Sequence, residues 1–228
     1  MICVMRYLNG SRVYLSSIHP IVLETQELER EKIDVVISLL EERDPPGFIK
    51  QALTGCKHYY YHARDNPDEP IQIWFINTFN VISRALENNL NILIYCRSGK
   101  SLCVTILTAF LIRALSKGLY RYMVYDCFHY LPKSKYTWTE SFLDYLQTVY
   151  PNAEPNTGFM SVLLELERDL IRVPHEKIMG GEPGSTGLTE SDGPPEPPGL
   201  DLSGVSRFQT LLQSALGFLP GFLPDNNE

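Results

Sequence analysis

The stretch Asn91–Lys117 reads NILIYCRSGKSLCVTILTAFLIRALSK, and the order of its residue types decides the fold. An apolar, isoleucine-rich run (Ile92, Leu93, Ile94, Tyr95) leads to Cys96. A short polar turn holding Gly99 follows, and an apolar helical pattern starts at about Leu102. Strand, tight turn and helix N-terminus in succession aim backbone N–H groups and the positive end of a helix dipole at one point, which makes an anion site. A cysteine opening such a turn lies in a field that favours its thiolate, the nucleophilic form. The plainer reading of Cys96 is a small buried apolar residue. Its place at the strand-to-glycine turn favours the reactive one.

Working outward, the apolar periodicity predicts strands near Val13–Leu15, Val35–Leu39 and His58–His62, with helices near Thr25–Lys32 and Gln72–Glu87, the latter broken by Asn88-Asn89. Such alternation gives an α/β fold: a central, mainly parallel sheet flanked by helices on both faces. Cys96 then falls at the carboxyl end of a central strand, where such sheets place ligands. The second half reads as helical, with Tyr120–Tyr130, Thr139–Val149 and Gly158–Ile171 as the periodic stretches. After Val173 the composition changes. Residues 174–204 are rich in Gly, Pro, Glu and Ser, cannot support a core and are expected to be a disordered linker. In residues 205–228, Val205, Phe208, Leu211, Leu212, Ala215, Leu216 and Leu219 share one helical face. That face either packs back on the domain or docks a protein partner; its acidic surroundings and lack of lysine argue against an anionic membrane. The expected organisation is thus a domain over 1–173, a linker over 174–204 and a short amphipathic helix with its tail over 205–228.

Composition limits the function. The 228 residues are 44% hydrophobic and 21% charged, as in an ordinary globular domain. A net charge of −7 without a basic tract gives no reason to expect nucleic-acid binding. No uncharged apolar run reaches the roughly 18 residues of a membrane span. The N-terminal apolar stretch is too short for a secretory signal. Five cysteines at irregular spacing (Cys3, Cys56, Cys96, Cys103, Cys127) suggest reduced thiols in a cytoplasmic or nuclear setting. None is spaced as in a zinc site, and neither a metal nor a cofactor is expected.

The Cys96 segment resembles the signature H-C-x-x-G-x-x-R-[ST] of the protein tyrosine and dual-specificity phosphatases. The resemblance extends from about Arg6 to Leu170 through RVYLSS (Arg12–Ser17), ELEREKIDVVISLLEE (Glu27–Glu42), HYYYHARDNPDEPI (His58–Ile71) and YPNAEPNTGFMSVLLELERDL (Tyr150–Leu170). It implies Cys96 as nucleophile, Asp65 as general acid with Asp68 as the fallback, and Ser98, Gly99 and Ser101 in the phosphate loop. It further implies Asn156 and Tyr95 as loop supports. The chain departs from the pattern where Tyr95 stands for histidine, Leu102 for arginine and Cys103 for serine or threonine. The arginine supplies a planar fork for two phosphoryl oxygens. By analogy with other phosphoryl-transfer arginines, losing it costs roughly 10³–10⁵ in rate. The segment from Cys96 to Asn156 is longer than in compact members, with the extra length expected around Phe128–Trp138.

Arg97 and Lys100 keep a phosphate ligand in view. Cations at a helix N-terminus are mildly unfavourable, so a bound anion would offset them. The resemblance places basic residues here in the branch acting on inositol and lipid phosphates. Two functions follow. The favoured one is a catalytically impaired pseudophosphatase that binds a phosphorylated protein or an inositol or lipid phosphate. The alternative is an active dual-specificity protein phosphatase that forms a phosphocysteine on a non-standard loop.

Overall fold

The computed structural model describes residues 1–19, 25–43, 46–117 and 137–172. All lie within one compact unit, Met1–Gly181; a second, Glu182–Glu228, is outside the described residues. So are the expected helix Tyr120–Tyr130, nearly all of the expected extra segment Phe128–Trp138, Cys127, the linker and the amphipathic tail.

In chain order the elements are β1 (Ile2–Arg6), β2 (Arg12–Ser17), α1 (Thr25–Arg30), β3 (Ile33–Leu40), α2 (Gly47–Ala52) and β4 (Lys57–His62). A 3₁₀ turn (Ile71–Trp74) then leads into α3 (Phe75–Glu87), followed by β5 (Asn91–Cys96), α4 (Leu102–Ser116), α5 (Trp138–Val149) and α6 (Thr157–Arg172). One five-stranded sheet has the order β1-β2-β5-β3-β4. β1 pairs antiparallel to β2, and the other pairings are parallel. β5 is central, and Ile92–Cys96 are all buried, as expected of a strand covered on both faces. Its register sets Cys96 beside Ser17 of β2 and Leu39 of β3.

Alternation of side chains along the strands makes two cores. One face carries Val13, Leu15, Ile37, Leu39, Ile94 and Cys96 against α3, α4, α5 and α6. The other carries Tyr14, Val36, Leu40, Leu93 and Tyr95, with Leu28 of α1 and Ile49 of α2 over them. α4 is the hub of the larger core, with nearly every residue from Leu102 to Ala114 buried. Burying one such Ile, Leu or Val contributes about 1.5–3 kcal/mol, so the segment that opens the site is also the best anchored.

β1 and α2 are elements the periodicity did not indicate. β1 is a five-residue edge strand with only Val4 and Met5 buried. α2 is a six-residue helix after Pro46 that seals the second core with Ile49. α5 begins with a reciprocal Thr137/Glu140 capping box. The buried Glu167 of α6 accepts further hydrogen bonds from Trp138 N (2.8 Å), Thr139 N (2.9 Å) and Thr139 Oγ1 (2.8 Å). A carboxylate on a helix N-terminus is stabilised by the dipole, and here it ties α5 to α6.

Candidate active site

The chain leaves the sheet at Cys96, turns through Arg97–Ser101 and re-enters as α4 at Leu102. Gly99 makes the turn with φ +75°, in the left-handed region. A Cβ on Gly99 would fall 2.6 Å from Tyr150 Oη and 2.8 Å from Ser17 N, so close packing also requires glycine. Ser98 Oγ accepts the Lys100 N–H at 3.2 Å. Ser101 precedes α4 yet makes no side-chain cap bond to it. Its Oγ instead accepts from Asn156 N at 3.2 Å. The first-turn N–H groups of α4 therefore lack the usual side-chain acceptor, the state in which a helix terminus receives an anion.

Cys96 is buried, and its Sγ lies 3.4 Å from Cys103 Sγ in the first turn of α4. Once Cys96 ionises, one proton serves both sulfurs. Burial and the neighbouring sulfur push Cys103 well above the ordinary thiol range, so Cys103 keeps the proton and donates it. That hydrogen bond is the main reason Cys96 is lowered to about 7; the N–H groups of Cys103 and Gly99 help, while burial and the charge of Asp65 oppose. Alkylation of Cys96 by iodoacetamide should then rise about tenfold per pH unit below pH 7 and level off above it, because only the thiolate reacts. In Cys103→Ala the plateau should move to higher pH. Rates measured by peptide mapping across pH 5–9 check this, and an unchanged profile would show that Cys103 does not tune Cys96.

Asp65 lies just past β4. Its Oδ1 accepts from Asn156 Nδ2 at 2.9 Å, and its charge is felt by Cys96. Asp68, the other candidate, is exposed and turned into the loop's own Asx turn, where its N–H donates to Asn66 Oδ1 at 3.0 Å. Asn156 is the junction of the site. Besides Ser101 and Asp65 it caps α6, its Oδ1 accepting from Phe159 N at 3.0 Å. Glu154 N also donates to Lys100 O at 2.9 Å, so Glu154–Asn156 runs along the loop like a second rail. Gly158 lets α6 press onto the acid loop: a Cβ there would meet Pro67 O at 1.9 Å.

The departures from the signature are placed with equal clarity. Leu102 is 3% exposed and belongs to the larger core, so the position offers apolar surface and no donor. Tyr95 points to the opposite face of the sheet, in the second core, with its buried Oη beside Ser38. Burial pushes its phenol up to about 12. Ser38, its register neighbour, is engaged with His58 Nε2 at 2.5 Å. Arg97 is exposed and forms an ion pair with Glu42, just beyond β3. Lys100 is exposed and has no ion-pair partner among the described residues. Two participants escaped the reading of the sequence: Tyr150, whose hydroxyl packs behind Gly99, and Glu42, which holds Arg97. Both contacts join segments far apart in the chain. No group of three His, Cys, Asp or Glu among the described residues is placed to hold a metal. Nor is any described helix long and apolar enough to cross a membrane.

This arrangement of strand, cysteine loop and helix has known counterparts. The family model described as dual specificity phosphatase, catalytic domain matches residues 13–169, well over half of the chain. The chain belongs to the dual-specificity phosphatase family. Solved structures with the same fold include human DUSP28, at 20% identity and TM-score 0.54 over 73% of this chain and 97% of that one. The Yvh1 phosphatase domain from Chaetomium thermophilum matches at 20% identity and TM-score 0.56, over 73% of this chain and 95% of that one. The human tyrosine phosphatase-like serine/threonine/tyrosine-interacting protein matches at 18% identity and TM-score 0.54, over 70% and 93%. At such identities these structures speak for the fold alone. None of the curated proteins compared by sequence matches the chain. Within the dual-specificity phosphatase fold, Cys96 lies on the strand-to-helix loop, and Asp65 and Asn156 are tied to each other beside it.

Proposed function

We propose that this chain is a dual-specificity phosphatase-like protein that recognises phosphorylated protein or a polyphosphorylated ligand at the Cys96 loop while turning it over poorly. The observation that carries this reading is the burial of Leu102 at the first position of α4. Backbone amides, a helix N-terminus and a thiolate can seat a phosphoryl group there. A guanidinium fork to bind two of its oxygens as charge develops is missing from that position. Arg97 is an unsuitable substitute, because turning inward would break its pair with Glu42. Lys100 is a point charge without fork geometry, suited to a second phosphate on the same ligand.

A specific observation also favours the active alternative: Cys96 is lowered to about 7 and Asp65 lies within reach of its field. In that reading the Cys96 thiolate attacks phosphorus, an S–P bond forms and the P–O bond to the leaving group breaks. Asp65 gives its proton to the departing oxygen. Water then attacks phosphorus and gives a proton back to the Asp65 carboxylate, while the S–P bond breaks and the thiolate leaves with the Cys103 thiol donating to it. Asp65, Cys96 and Cys103 suffice for proton and sulfur traffic; what is wanting is charge stabilisation.

Melting the full chain with and without tungstate or an inositol polyphosphate, beside aryl-phosphate turnover, tests the reading. Binding to the folded state alone raises the melting temperature, by about 2.7 kcal/mol of stabilisation at a hundredfold excess over Kd. We expect a rise with each ligand, a smaller rise for the polyphosphate in Lys100→Ala, and turnover roughly 10³-fold or more below that of arginine-bearing relatives. Absence of any shift at millimolar ligand would overturn recognition. A cysteinyl-phosphate that forms and clears within seconds would overturn poor turnover.

A further inference from the structure

We propose that the cleft between α5 and α6 is a docking site for a linear segment of a partner protein that presents cationic side chains between apolar ones. The inference lies outside the Cys96 loop and does not depend on phosphate recognition. The cleft holds about 290 Å³ and is lined by Glu140, Leu143, Asp144 and Gln147 of α5 and by Met160 of α6. Ligand clefts commonly hold about 300–1,000 Å³, so this one suits a few side chains better than a nucleotide or a cofactor. Its lining divides in two. The apolar part is Leu143, which is buried, and Met160, which is half-buried against the larger core. A methionine thioether is unbranched and polarizable, and it adapts to whatever packs on it. Glu140 and Asp144, one turn apart on α5, are exposed.

Charge selects the occupant. Carboxylates four residues apart on a helix repel each other. α5 carries no lysine or arginine to separate them, and neither Glu140 nor Asp144 is in an ion pair among the described residues. Glu140 Oε2 serves the capping box, accepting from Thr137 N at 2.9 Å and Thr137 Oγ1 at 3.0 Å, which leaves Oε1 for a further donor. At Asp144 the backbone oxygen accepts from Thr148 Oγ1 at 3.0 Å, and the carboxylate is engaged by no described residue. A purely apolar partner would strip water from both carboxylates and return nothing. An acidic one would be repelled. No third His, Cys, Asp or Glu among the described residues makes a metal site of the pair. A segment alternating apolar and cationic residues meets both demands: its aliphatic groups cover Leu143 and Met160, and its guanidinium or ammonium pairs with Asp144 and Glu140.

The cleft also meets both ends of the rail beside the Cys96 loop. Gln147 Nε2 donates to Ala153 O at 3.0 Å, next to Glu154, whose N–H meets Lys100 O at 2.9 Å. At the other end Met160 N donates to Asn156 O at 3.0 Å, in the first turn of α6. A segment seated between Gln147 and Met160 therefore bears on the stretch that holds the loop, and it tethers a partner without engaging Cys96 or Asp65.

The test uses the full chain, isotope-labelled at its methionine methyl groups, and a fluorescein-tagged heptapeptide that alternates leucine with arginine. A second heptapeptide with glutamate in place of arginine is the control. By fluorescence polarisation we expect saturable binding of the arginine peptide and none of the glutamate peptide. By NMR the Met160 methyl signal, assigned through Met160→Leu, should shift, while that of Met5 in the larger core stays. Asp144→Lys changes an exposed side chain, so the variant should fold and keep its tungstate-induced thermal shift. Its affinity for the arginine peptide should fall at least about tenfold, because like charges set against each other oppose an interface. Unchanged affinity in Asp144→Lys would overturn the proposal, as would peptide binding that leaves Met160 unmoved or no binding at millimolar peptide. A Met160 signal that moves with protein concentration, without peptide, would give the cleft to a second copy of the chain and overturn it equally. Neither peptide carries phosphate, so docking can fail while phosphate recognition stands, and the reverse.

Discussion

Leu102→Arg combined with Tyr95→His should raise aryl-phosphate turnover by at least about 10³-fold, the lower end of what an arginine fork contributes to phosphoryl transfer. The reason is local. Position 102 is the first residue of α4, directly after the loop whose amides face the anion site. A guanidinium there adds two parallel N–H donors to oxygens that gain charge in the transition state. The thiol, carboxyl and junction residues it needs are already joined through Ser101, Asn156 and Asp65. The exchange also has a cost. Leu102 is 3% exposed, so its removal forfeits about 1.5–3 kcal/mol of burial, and an arginine that fails to reach the anion would be a buried charge. Tyr95→His adds to that cost by taking a fully buried phenol out of the second core. The double variant should therefore melt below the parent in buffer and be rescued by tungstate. Steady-state kcat/KM, read beside the melting curve, decides the matter. A folded, tungstate-binding double variant with no gain in turnover would mean that more than a fork is missing.

The site is legible in the sequence because its decisive signals are local. An isoleucine-rich run, a glycine in a polar turn and an apolar helix made β5, the loop and α4 readable, and with them the parallel core of the sheet. The helix expected at Gly158–Ile171 was readable for a similar reason, its periodicity running through the stretch found as Thr157–Arg172. The antiparallel edge β1 was not, since two buried residues in five give no firm alternation. α2 is a single short turn that owes its helix to tertiary burial of Ile49 and Leu53, not to propensity. Side-chain partnerships were the least visible. Arg97 reads as a free loop cation until β3 is known to lie beside β5, which brings Glu42 to it. Tyr150 reads as the end of a helix until its hydroxyl is found behind Gly99. Glu167 reads as one more surface carboxylate on an amphipathic helix, although it is 6% exposed and caps α5. Each of these contacts depends on strand order or helix docking, which the periodicity of one segment does not encode.

Gly158→Ala tests how tightly the acid loop is held. The added methyl would lie 1.9 Å from Pro67 O and 2.5 Å from Pro67 C, both backbone atoms. No rotamer relieves such an overlap, so either α6 or the loop must move. α6 is anchored by Phe159 and Leu163 in the core, both fully buried. The loop is exposed from Arg64 to Asp68, and it is the part that yields. Overpacking of this kind costs about 1–3 kcal/mol. For a domain of this size that is a fall in melting temperature of roughly 2–12 °C. The displacement should also carry Asp65 away from Asn156 and from Cys96. Because the charge of Asp65 raises the Cys96 thiol, moving it outward should shift the iodoacetamide profile to lower pH, below the midpoint near 7 of the parent. Asn156→Ala serves as the comparison. It removes a helix cap, worth about 1 kcal/mol, and frees Asp65 without any steric push. If Gly158→Ala melts within a degree of the parent with an unshifted alkylation profile, then α6 does not clamp the acid loop, and the geometry that links Asp65 to the cysteine rests on Asn156 alone.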